Sequence, residues 1–71
     1  MVFLRIETEA GSIGALGRLF ERFGCAVVER APDHLRVGFP DAASESEALA
    51  EARLYLSLRR VSPGALHLSA A

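Results

Sequence analysis

Seventy-one residues, 7.6 kDa and a formal charge of −1 leave room for one domain, near the lower size limit for a self-sufficient apolar core. Apolar residues make up 51% and charged residues 24%, which excludes a disordered chain, and no apolar run nears the roughly 18–20 residues of a membrane span. One cysteine excludes an internal disulfide and points to a cytoplasmic protein, and Met1-Val2-Phe3-Leu4-Arg5 does not read as a secretory signal.

Val2 to Glu7 alternates as a strand, with Val2, Leu4 and Ile6 opposite Phe3, Arg5 and Glu7. Thr8-Glu9-Ala10-Gly11-Ser12 is a turn. From Ile13 the period becomes helical: Ile13, Leu16, Phe20 and Phe23 recur at offsets of three and four, flanked by Leu19. Gly24 closes this helix as a left-handed cap. Cys25 to Ala31 reads as a second strand, Pro32-Asp33 as a tight turn, and His34 to Phe39 as a third strand. The short connection makes the last two an antiparallel hairpin.

Ser44-Glu45-Ser46-Glu47 is a capping box that opens a second helix running to about Leu58. Leu49, Ala52 and Leu56 form its inner stripe, with Ala48 and Tyr55 on the flank. Leu54, Leu58 and Val61 fall on the opposite side at 100° per residue, as a second stripe for a partner. A strand through Leu54, Leu56 and Leu58 competes, but helix-forming residues run unbroken from Ser44 and favour the helix. Ser62-Pro63-Gly64 is a turn, and Ala65 to Ala70 the last strand. The order β-α-β-β-α-β predicts an α+β, ferredoxin-like sandwich: a four-stranded antiparallel sheet with both helices on one face, as one domain over residues 1–71. Its core is expected from Leu4, Ile6, Leu16, Phe20, Phe23, Val37, Phe39, Leu49, Leu56 and Leu66. The bare sheet face, or a sheet edge, is the expected place for a second subunit.

The chain has no Lys, Asn, Gln or Trp, so Schiff-base and phosphate-loop lysine chemistry are excluded. The missing amides and the Arg–Glu charge set hint at a thermophilic or GC-rich source. Gly11, Gly14 and Gly17 are spaced G-x-x-G-x-x-G, unlike a dinucleotide fingerprint. Their plainer role is structural: Gly11 makes the turn, and the other two let the helix approach its neighbour. Cys25, His34 and His67 lie on three different strands without ligand spacing, so neither a metal nor a cofactor is expected, and Cys25 is expected to pack as a small apolar side chain. Arg5, Arg36 and His67 are expected to make a modest cationic patch on the bare sheet face. No two acids converge and no nucleophile adjoins a base, so no catalytic residue is assigned and the chain does not read as an enzyme.

Thr8-Glu9-Ala10-Gly11, the apolar positions Ile13, Leu16, Leu19 and Phe20, and the return Gly24-Cys25-Ala26-Val27-Val28 together resemble the ACT domain, a small regulatory module that senses amino acids. The hairpin, Asp41, the capped helix and Ser62-Pro63-Gly64-Ala65-Leu66 extend the resemblance over nearly the whole chain. It implies a homodimer or higher homo-oligomer with joined sheets, and a small carboxylate-bearing metabolite held at Thr8, Glu9, Gly11, Ser12 and Ile13. Thr8 and Ala10 depart from the family's acidic or amide residue and its proline. The start of the helix adds unpaired N–H groups and a partial positive charge that suit a carboxylate.

Two other readings compete. Leu19-Phe20-Glu21-Arg22-Phe23-Gly24 and Leu35-Arg36-Val37-Gly38-Phe39 are similar to pieces of an RNA-recognition motif. Only Phe3 faces outward to stack a base, however, and the pI near 6.1 makes a poor platform for RNA. The third reading is a structural or partner-binding module that uses Leu54, Leu58 and Val61 as its interface.

Overall fold

The computed structural model describes residues 1–62 and 66–71, and strand β1 (Val2–Glu7) runs through the middle of its sheet. Helix α1 (Ile13–Arg22) follows, then β2 (Ala26–Arg30), β3 (His34–Phe39), helix α2 (Glu45–Leu58) and β4 (His67–Ala70). The strands form one sheet in the order β2-β3-β1-β4, with every pairing antiparallel. This is the ferredoxin-like α+β arrangement. Pro63-Gly64 and Ala65, expected as a turn and a strand start, lie outside the described residues.

The period-two pattern explains the two inner strands. Leu4 and Ile6 of β1 stand beside Val37 and Leu35 of β3 and are fully buried, as is Phe39. Phe20 of α1 meets Phe39 edge to face at 5.9 Å and 78°. Of the expected core, Leu4, Ile6, Leu16, Phe20, Val37, Phe39 and Leu56 are buried, while Phe23, Leu49 and Leu66 pack partly buried around it. The inner stripe of α2 is centred on Ala48, Ala52 and Leu56 instead of Leu49. The two alanines set the helix close to the sheet, and the bulkier Leu49 is turned to the margin. Residues 54–58 are helical, so the competing strand is excluded, and the capping box forms: Ser44 Oγ accepts from Glu47 N–H at 3.3 Å.

Both helices end in the same way. At the end of α1, Cys25 N–H donates to Phe20 C=O at 3.0 Å and Gly24 N–H to Glu21 C=O at 3.1 Å, with Gly24 at φ +85°. At the end of α2, Val61 N–H donates to Leu56 C=O at 2.8 Å and Arg60 N–H to Ser57 C=O at 3.0 Å, with Arg60 at φ +57°. These are Schellman closures, which need a left-handed residue and favour glycine. One helix has the glycine, whereas the other forces an arginine into that conformation. Gly24→Ala is therefore expected to cost about 1 kcal/mol, and Arg60→Gly to add up to about 1 kcal/mol, as read from urea midpoints. If the two substitutions shifted the midpoint in the same direction, this account of the caps would not stand.

The glycines of α1 divide in a way the spacing does not show. A Cβ on buried Gly17 would lie 2.7 Å from Arg30 Nη1, so the close approach is to the Arg30 guanidinium, which also pairs with Glu21 at 2.9 Å. Gly14 is exposed and carries no neighbouring element; only the Arg18 head lies near it. Strand β2 bulges between Val27 and Glu29, leaving Val28 52% exposed on an edge. With β4 only four residues long, both sheet edges are poor templates for a further strand.

Candidate functional site

The bare sheet face is not the cationic patch expected from its arginines. Glu7 and Glu29 also point to it: Arg5 Nε donates to Glu7 Oε1 at 3.4 Å, and the β2 bulge brings Glu29 opposite Arg36. Arg36 lies 5.0 Å over the Phe3 ring. Phe3 and Met1 in turn rest over Gly38, where a Cβ would collide with both. The one outward aromatic is thus covered by its own neighbours, and Phe39 is wholly buried.

On the same face His34 sits between two acids, 3.0 Å from Asp33 Oδ1 and 2.7 Å from Glu29 Oε1. Hydrogen bonds to Asp33 and then to Glu29 raise its pKa above the ordinary 6.5. Those bonds lower Glu29 and Asp33 below 4.5 and 3.8. The imidazolium's contribution is complete below about pH 6.5 and is lost as pH rises through the raised folded value; the acids' contribution is complete above about pH 4.5 and is lost on acidification through their lowered values. The urea midpoint is therefore expected to fall as pH rises above about 6.5, and His34→Gln to flatten that fall. An unchanged slope in the variant would show that the cluster does not set it.

Cys25 is buried against the core, and burial, reinforced by Glu51 and Asp41, pushes its thiol up to about 11. It remains a protonated, apolar-packed group at neutral pH, unsuited to thiolate chemistry. Among the described residues, no group of three His, Cys, Asp or Glu side chains is placed to hold a metal ion. No helix among them is long and apolar enough to cross a membrane.

A concave surface among the described residues lies on the helical side. Two depressions of about 280 Å³ each share Ala15, Leu19 and Val61, forming one groove along α1. Near the start of α1 it is lined by Thr8, Gly11 and Ser12, with Leu16 and Leu66 beside them. Near the other end it is lined by Arg18, Arg22 and Arg59. The groove therefore brings together Thr8, Gly11 and Ser12 from the expected site. Glu9 is exposed and outside the lining, while Ile13 is a core residue, 8% exposed.

The bend itself differs from expectation. A single 3-10 turn, Ala10–Ser12, leads into α1, so Ser12 N–H already donates to Glu9 C=O at 3.0 Å. Thr8 N–H donates across to Asp33 C=O at 2.9 Å. Two amides of the turn are thus used internally. The Ser12 hydroxyl makes no capping bond, and it borders the groove.

Val61 also changes place. Extrapolating the helical period sets it with Leu54 and Leu58, which are indeed exposed at 54% and 61%. The left-handed Arg60 reverses the chain, however, and carries Val61 back against the core as a wall of the groove. The arginine end was not legible in the spacing, because Arg59 comes from the end of α2 and meets α1 only in the fold. Arg59 lies 5.8 Å over Phe23 there, and Phe23 stacks on Tyr55 at 4.3 Å and 4°. Tyr55 Oη donates to Glu51 Oε1 at 2.8 Å, which, with burial, pushes the phenol up to about 12. No family model, curated protein or solved structure matches this chain.

Proposed function

We propose that this protein is a non-catalytic binding module for a small organic acid, working as a homodimer with the ligand in the groove along α1. The observation that carries the reading is the groove itself, an apolar floor of Ala15, Leu16, Leu19 and Val61 with polar side chains at one end and cations at the other. Small-ligand sites have this composition, although each half is at the small end of their range. The ACT-like pattern around Thr8 to Ile13 supports the same end of the molecule.

Thermal denaturation against a panel of amino acids, organic acids and nucleotides tests it. An acid at 100 times its Kd is expected to add about 2.7 kcal/mol. Gly11→Val should remove that response without harming the fold, since nothing lies within 4 Å of a Cβ there. No response from any acid would rule the reading out.

The second reading, a partner-binding module without a ligand, is favoured by Leu54 and Leu58, one helical turn apart and both more than half exposed. The same pair supports the homodimer better than the bulged or short sheet edges do. The accessible surface, 4130 Å², is close to the roughly 4,300 Å² of a compact monomer of this mass, so any dimer adds to a fold already closed.

A further inference from the structure

Resting on the organic-acid reading, we infer that the arginine end of the groove is its anion subsite. Its occupant is an elongated acid whose apolar body lies along Leu19 and Val61. Arg18 and Arg22 of α1 and Arg59, the residue that caps α2, line this end, and no acidic residue among the described residues lines it. Elsewhere Arg5 pairs with Glu7, Arg30 pairs with Glu21 and Arg36 lies over Phe3, while Arg53 and Arg60 stand apart from the groove without an ion pair among the described residues. Arg18, Arg22 and Arg59 form no ion pair among the described residues. This concentration of positive charge stands out in a chain whose net charge is −1.

A plainer account has the cations complementing helix C-termini. It covers Arg22 and Arg59 but not Arg18, which lies in the middle of α1. Nor does it involve the Phe23 ring, over which Arg59 lies at 5.8 Å. A guanidinium held in advance loses less freedom when it binds an oxyanion, and its fork matches a carboxylate with two parallel bonds. From Ser12 to Arg22 the helix rises about 15 Å. A free amino acid is too short to reach both ends, whereas a chain-like acid with a polar far end matches Arg22 and Arg59 at one end and Ser12 at the other.

Calorimetry with 10-hydroxydecanoate, the isosteric but uncharged 1,10-decanediol, and acetate tests this. The hydroxy acid is expected to bind at least about tenfold more tightly than the diol, with a preference that weakens as salt is raised. The double variant Arg22→Gln/Arg59→Gln should bring the two affinities within about threefold. Arg18→Gln should reduce the preference by a smaller factor. These side chains are exposed, so folding should survive, and circular dichroism checks that it does. If the acid preference survives in the double variant, the subsite is wrong although the organic-acid reading stands. Acetate binding as tightly as the hydroxy acid overturns the elongated occupant. If no probe binds and no acid in the panel stabilises the chain, both readings fall.

Discussion

Phe20→Ala is expected to leave the chain largely unfolded, or close to it, at ambient temperature. Phe20 is fully buried and meets Phe39 edge to face, so truncation removes both the transfer energy of the ring and its aromatic partner contact. Such substitutions cost about 3–5 kcal/mol, because a close-packed core collapses only partly into the space left behind. At about 0.05–0.15 kcal/mol per residue, a chain of 71 residues has roughly 4–11 kcal/mol in total. The loss therefore rivals the whole stability. Phe20→Leu should be milder and leave enough folded protein to measure. A cycle combining it with Phe39→Leu should show a coupling of about 0.5–1.5 kcal/mol. Urea denaturation followed by circular dichroism gives all of these values. A Phe20→Ala cost below about 1 kcal/mol would mean that the two rings do not form the centre of the core.

The second large effect concerns binding. Ala15→Trp is expected to abolish the stabilisation by acids while leaving the unliganded protein as stable as before. Ala15 is exposed on α1, and it borders both halves of the groove. An indole there occupies the middle of the groove without entering the core. A ligand that gives about 2.7 kcal/mol at 100 times its Kd would then give none at the same concentration. Leu54→Glu is the control, because it changes the exposed α2 surface and touches no part of the groove. If Leu54→Glu removed the response and Ala15→Trp did not, the partner-binding reading would replace the ligand-binding one. Light scattering on the same two variants separates assembly from binding. A wild-type mass of one chain would remove the homodimer.

Most of the fold was legible because each element carries its own local signal. The alternation of Val2 to Glu7 and His34 to Phe39 assigns a buried and an outer set of residues before any neighbour is known. Ser44 and Glu47 mark the start of α2 through a bond spanning three residues, and Gly24 marks the end of α1 through its freedom at positive φ. Of the site, only Thr8, Gly11 and Ser12 were legible, because a turn feeding a helix is itself a local feature.

What sequence by itself determined, then, is the succession of strands and helices, their caps and the sense in which each buries a side, since all of these follow from residues within one or two turns of each other. The tertiary structure decided the remainder. Arg60 adopts a left-handed conformation that its side chain disfavours, and only the Val61 contacts with the core show why the chain reverses there. The small volumes of Ala48 and Ala52 moved the contact line of α2 away from Leu49, and the Val28 bulge put Glu29 beside Arg36. The groove exists because α1 and the end of α2, more than thirty residues apart in the chain, are packed on one sheet. Periodicity says which side of a helix is apolar. Which distant residue faces it depends on how closely the helices settle on the sheet and how the intervening chain turns.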